Sequence, residues 1–142
     1  MSGFVLDTSV ISERLRPRPD ELVALWIDSQ RAGTLHLPTI VIGEVAAGIE
    51  WLAAGRRRDR LQEWLYNDLI RGFQGKILVF DEEAALAFGR LTAQARRAGC
   101  PAKVADAQIA AIAAAHGLTV ATRDITDFAG FGIPLANPWQ GA

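Results

Sequence analysis

The sequence predicts an α/β fold, with a central parallel sheet of four to five strands flanked by helices. Short apolar runs suited to buried strands recur along the chain, and stretches with helical spacing of apolar residues separate them. The length of 142 residues fits one core, and 50% hydrophobic with 22% charged residues is a globular composition. Neither a low-complexity tract nor an internal repeat interrupts it, so residues 1–142 read as one domain.

Phe4-Val5-Leu6 is the first strand, and it ends on Asp7-Thr8-Ser9, polar types that start helices by capping. Pro19 to Arg31 is helical, with Leu22, Val23, Leu25, Trp26 and Ile27 as its buried face. Leu35-His36-Leu37 is the second strand. After Pro38-Thr39, Ile40 to Ala54 forms a helix so apolar that it should be covered on most sides, with Glu44 in its middle. Gly55 closes it, and Arg56 to Phe73 completes a helical hairpin, with Leu61, Trp64, Leu65, Leu69 and Phe73 at helical spacing. Ile77 to Phe80 is the third strand and leads into Asp81-Glu82-Glu83, acids favoured at a helix start by capping and by the helix dipole. That helix ends near Gly99. Val104 to His116 is an Ala-rich helix stopped by Gly117, Leu118 to Thr122 is the fourth strand, and Asp124 follows it closely.

Composition excludes several classes. The longest stretch without Asp, Glu, Lys or Arg, Ala107 to Thr122, is too short and too broken to span a bilayer. The start, MSGFVLD, lacks the basic region and long apolar core of a secretory signal, so the expected location is the cytoplasm. A lone Cys100 forbids an internal disulfide. Net charge of −1 argues against binding nucleic acid through overall positive charge. The basic residues are nevertheless clustered, at Arg14, Arg16 and Arg18 and again at Arg56, Arg57, Arg58 and Arg60. Arginine grips phosphate bidentately, although solvated helix ends explain either cluster equally well.

Four acids stand where a lone charge is costly: Asp7, Glu44, Asp106 and Asp124 lie in or at the ends of apolar stretches. Ligands of parallel α/β sheets bind outside the carboxyl ends of the strands, and Asp7 and Asp124 occupy two such ends. Helical spacing puts Asp106 on the side of Ile109, Ala110 and Ala113, facing the sheet. Each acid also has an ordinary reading: Asp7 as a helix cap, Asp106 as a first-turn acid, Asp124 and Asp127 as turn residues. Glu44 has no cap or turn to serve, which leaves a buried arginine partner as its ordinary reading. One cation serves all four more economically. Carboxylates without His or Cys at ligand spacing suit a hard ion, Mg²⁺ or Mn²⁺, and such ions promote phosphodiester hydrolysis, while His36 and His116 read as structural. A phosphoryl-acceptor domain using Asp7 or Asp81 fits poorly, because no Asp-x-Asp follows the first strand.

FVLDTSVISE, the apolar helix with Glu44, VADAQIAAIAAAHGLTVATRDITDF and the closing NPW together resemble the PIN-domain family over essentially the whole chain. More narrowly they are similar to the VapC and FitB type toxins of bacterial toxin–antitoxin pairs. The resemblance implies a metal-dependent endoribonuclease whose acids Asp7, Glu44, Asp106 and Asp124 surround one or two Mg²⁺ or Mn²⁺ ions. It implies Thr8 as a hydrogen-bonding member of the catalytic site, with Asp127 at its periphery. It further implies RNA as substrate, a homodimer, and a VapB- or FitA-like antitoxin with which the toxin assembles on operator DNA. The alternative is a subunit acting mainly in operator binding, with weak nuclease activity. The hairpin residues Trp51, Leu61, Trp64, Leu65 and Leu69 are a candidate groove for the partner.

Overall fold

The computed structural model describes residues 3–141. Five strands form one parallel sheet: β1 (Phe4–Leu6), β2 (Leu35–Pro38), β3 (Ile77–Leu78), β4 (Thr119–Ala121) and β5 (Leu135–Ala136). Their order is β3-β2-β1-β4-β5. The chain therefore walks outward from β1 through β2 to β3, then returns to the other side of β1 and walks outward again. Register is fixed by pairs such as Val5 with His36 on one side and Val5 with Val120 on the other. At the point where the direction of winding reverses, here between β1 and β4, the helices leave toward opposite faces and open a crevice at the carboxyl ends of the strands. Asp7 follows β1 and Thr122-Arg123-Asp124 follows β4, so the crevice receives both.

The strand centre is dry. Val5, Leu6, Leu37, Val120 and Ala121 are buried, and helices supply the cover. α1 (Thr8–Glu13) buries Val10 and Ile11. Its last residue, Glu13, is buried too, and its Oε2 accepts the Asp20 N–H at 2.8 Å, which ties down the loop to α2 (Glu21–Ser29). α2 starts with Asp20 accepting the Leu22 N–H at 2.8 Å. Of its expected buried face only Val23 and Trp26 are deeply buried, Ile27 is partly so, and Leu22 and Leu25 face solvent. One helical stripe is wide enough to cover Phe4, whose ring meets Trp26 edge-on at 4.8 Å.

α3 (Thr39–Trp51) corrects a stronger expectation. Its inward stripe is Val41, Val45 and Ile49, while Gly43, Glu44, Ala47, Gly48 and Trp51 are exposed. Glycine and alanine raise the apolar count of a helix yet bring little surface that needs burying, so composition overstated the cover. α4 (Arg56–Trp64) continues through a π-helical turn, Leu65–Ile70, and packs back on α3, with Glu50 Oε2 accepting from Arg58 and Gln62 at 3.1 Å each. The hairpin is present, but Leu65 and Leu69 belong to the core and Leu61 and Trp64 are half buried. Of the five residues expected to line a partner groove, Trp51 alone is exposed, at 91%.

α5 (Glu82–Arg97) is capped by Asp81, whose Oδ1 accepts the Ala84 N–H at 3.0 Å. α6 (Val104–His116) is buried from Ile109 through Ala113 and ends at Gly117, where φ of +65° is a conformation that costs other residues a backbone penalty. α7 (Ile125–Phe128) and a 3₁₀ turn, Ala129–Phe131, seat Phe128 and Phe131 edge to face at 6.0 Å in the core. Gly130 lies so close to Cys100 that a Cβ would stand 2.9 Å from the Cys100 Cβ. Among the described residues no helix is long and apolar enough to cross a membrane.

Phe128 anchors the segment that carries Asp124. Phe128→Ala should destabilise the fold by about 3–5 kcal/mol in urea denaturation, the usual effect of emptying a buried aromatic site. A loss below 1 kcal/mol would show that the segment is not held by this ring.

Candidate active site

Asp7 is buried at the end of β1. It stands at the cap position just before α1 but makes no side-chain cap bond, so capping does not explain it. Its Oδ2 instead accepts two hydroxyls, Thr122 Oγ1 at 2.7 Å and Ser9 Oγ at 3.0 Å. The first of these bonds joins residues 115 apart and locks the end of β1 to the end of β4. Thr122 Oγ1 in turn accepts the Asp124 N–H at 2.9 Å, and Ser9 Oγ accepts the Arg123 N–H at 3.2 Å. Two small hydroxyls thus serve one carboxylate and fix the path of the chain beyond β4.

Thr8 Oγ1 donates to Glu44 Oε1 at 2.6 Å, connecting α1 to α3. Glu44 is brought next to Asp7's neighbour by that bond. It is nevertheless exposed rather than buried, because it lies on the open face of α3, and no arginine pairs with it among the described residues. Asp106 is in the first turn of α6 and partly buried, while Asp124 and Asp127 are exposed at the start of α7. Asp124, too, lies at a cap position without a side-chain cap bond.

Electrostatics place these acids in one another's field. Burial raises the Asp7 carboxyl above its ordinary value, hydroxyls from Thr122 and Ser9 oppose the rise, and the Asp124 charge adds to it. Asp106 is pushed up to about 6, first by desolvation, then by the charges of Asp7 and Asp127, with Lys103 opposing and Glu44 contributing further. A first-turn acid normally gains from the helix dipole, so the rise means that burial, reinforced by neighbouring carboxylates, outweighs it. Asp127, expected at the periphery, belongs to this field. Among the described residues no three Asp, Glu, His or Cys side chains are gathered tightly enough to grip an ion. One oxygen of Glu44, Oε1, is taken by Thr8.

Sequence reasoning missed Ser9 and Thr122. Ser9 could have been found from its place beside Asp7, but Thr122 becomes meaningful only once β1 and β4 are neighbours. His36 is a core group whose Nδ1 lies 3.3 Å from the Phe4 carbonyl, and burial lowers its pKa. The Arg14, Arg16 and Arg18 side chains are exposed, and in the second cluster Arg58 pairs with Glu50 at 3.1 Å.

The raised Asp106 has a consequence for stability. Its carboxyl ionises near 3.8 when unfolded and about 6 when folded, so between those values the folded chain binds the extra proton. The contribution is therefore present at low pH and is lost as pH rises through that window. In the absence of divalent cation, Asp106→Asn should stabilise the fold at pH 7–8 by about 1 kcal/mol, after allowance for solvent screening and the lost dipole interaction. The gain should vanish below about pH 4, as read by thermal melts across pH.

Comparison with known proteins extends this picture. A profile of the PIN domain matches residues 4–131. The plasmid stability protein StbB of Pseudomonas syringae pv. tomato is 45% identical over 137 residues, 96% of this chain and 99% of its own length. The VapC ribonuclease Y4jK of Sinorhizobium fredii is 41% identical over 139 residues, 98% of this chain and 99% of that one. Toxin FitB of Neisseria gonorrhoeae is 39% identical over 137 residues, 96% of this chain and 99% of its own. The structure of FitAB bound to an IR36 DNA fragment contains a chain that superposes with a TM-score of 0.91 at 38% identity, covering 96% of this chain and 95% of that one. The strand order, the acids at the switch point and this similarity over nearly the full length agree, and the chain belongs to the PIN-domain family.

Proposed function

We propose that this chain is the toxin of a type II toxin–antitoxin pair, an endoribonuclease that hydrolyses RNA phosphodiesters in the cytoplasm. The observation that carries the reading is the set of acids at the switch point. Asp7 and Asp124 follow the neighbouring strands β1 and β4, Thr8 ties Glu44 beside them, and Asp106 is pushed up to about 6 by burial and then by the charges of Asp7 and Asp127. Acids set against one another in this way, without an ion pair to any of the four among the described residues, fit a divalent cation. Oxygen donors without imidazole or thiol suit Mg²⁺, or Mn²⁺ in its place. Asp7, Glu44, Asp106 and Asp124 would hold it, and the names VapC ribonuclease and toxin FitB among the relatives support the activity.

When bound, such an ion neutralises phosphate oxygens and makes a water more acidic, which suits attack at phosphorus. The chain's own residues prepare that chemistry. Thr122 and Ser9 occupy Oδ2 of Asp7 and so orient the carboxylate toward the crevice with Oδ1 unengaged by side-chain hydrogen bonds. Thr8 orients Glu44. In-line attack by water leaves a 5′ phosphate and a 3′ hydroxyl, the outcome that the family resemblance implies.

The FitAB complex bound to an IR36 DNA fragment supports assembly with a FitA- or VapB-like antitoxin on DNA, and the family resemblance implies a homodimer. With a net charge of −1, this chain is better suited to reach DNA through its partner than by itself.

Purified chain freed of its partner should cleave single-stranded RNA with Mg²⁺ or Mn²⁺ and stop on chelation. Asp7→Asn should reduce cleavage by at least about 100-fold while retaining the fold, and Glu44→Gln should reduce it less because Glu44 is exposed. Cleavage that survives chelator or Asp7→Asn would refute the site.

A further inference from the structure

Lys103 bears on Asp106, whereas Arg123 is the cation whose backbone is built into the hydroxyl network around Asp7, between Thr122 and Asp124. Its neighbours on either side, Thr122 and Asp124, belong to the hydroxyl network, and its own backbone N–H donates to Ser9 Oγ at 3.2 Å. Its guanidinium does not pair with the acids beside it. Among the described residues it has no carboxylate within ion-pair distance, and Cζ instead lies 5.4 Å from the centre of the Trp139 ring. Trp139 is itself held in place, since Asn137 Oδ1 accepts its N–H at 2.9 Å and Pro138 is buried.

A guanidinium drawn to the face of an indole is attracted by the ring's charge distribution and leaves N–H donors free for another partner. The stack restrains a long side chain that would otherwise be drawn onto Asp7 or Asp124. The result is a pre-oriented fork beside a cluster of negative charge, available to an anion and not consumed by the cluster. An acidic crevice repels phosphate, so a polyanionic substrate needs a fixed positive contact at the rim.

We propose that Arg123 binds a phosphate of the RNA strand next to the bond being cut, and that Trp139 is the positioning residue that holds the guanidinium for it. This deepens the ribonuclease reading and rests on it. The contact is to the backbone, so it contributes affinity and register rather than base choice.

The test uses this chain and a short fluorescent single-stranded oligoribonucleotide. Arg123→Ala should raise KM about tenfold with a smaller change in kcat, the loss of one charge-assisted contact. In an Asp7→Asn background, which binds without cutting, Arg123→Ala should lower the slope of log affinity against log salt by about 0.7, one phosphate contact on a single strand. Arg123→Lys should restore the slope but only part of the affinity, because an ammonium lacks the fork. Trp139→Leu should raise KM with the slope retained, and should add nothing on top of Arg123→Ala. Thermal melting of Arg123→Ala should match the wild type, as the side chain is exposed. Wild-type KM and salt slope in Arg123→Ala, in a protein whose cleavage Asp7→Asn still abolishes, would overturn this inference and leave the nuclease reading intact. A wild type that binds the RNA with the Arg123-dependent slope but never cleaves it would overturn the nuclease reading instead.

Discussion

The hydrogen bond from Thr122 to the buried carboxylate of Asp7 is the interaction on which the rest of this site depends. Burying an ionised carboxylate is costly unless its lone pairs are satisfied, and here two hydroxyls meet that demand on one oxygen. The bond exists because β1 and β4 are parallel neighbours in register, Leu6 beside Ala121, so that the next residues of both strands emerge together. From there the consequences spread outward. Thr122 fixes Asp124, Ser9 fixes Arg123, α1 begins at Thr8, and Thr8 reaches Glu44 on α3. A site assembled from residues distant in sequence is held by three hydroxyl side chains, Thr122, Ser9 and Thr8.

Much of the fold was legible because apolar strands and helical stripes repeat with their own periods. Strands β1, β2 and β4 and helices α5 and α6 lie close to where those periods put them. β5 was not, since Leu135-Ala136 is two residues between Pro134 and Asn137 and carries no alternation to read. β3 proved shorter than its apolar run, with Val79 exposed and outside the sheet. Such edges are decided by which neighbour is available, which a local pattern does not encode.

The acids were legible for mixed reasons. Asp7 was found from a strand end and is buried as that argument requires. Glu44 was singled out as a charge stranded in an apolar helix, yet it is exposed, and its connection to the site comes from Thr8 rather than from burial. Asp106 stood out by its helical face, but its raised pKa reflects burial first and then the charges of Asp7, Asp127 and Glu44, both properties of the assembled group. Thr122, Ser9 and the Arg123–Trp139 stack were invisible as a unit because they join the end of β4 to segments that lie far away in sequence.

On the reading proposed above, Asp7, Glu44, Asp106 and Asp124 hold a divalent cation between them. Anomalous diffraction from crystals equilibrated with Mn²⁺ tests it most directly. A single strong peak bounded by the carboxylates of Asp7, Glu44, Asp106 and Asp124, absent in Asp7→Asn crystals, is the predicted result. Mn²⁺ bound only elsewhere, or a peak at this place that persists in Asp7→Asn, would contradict it.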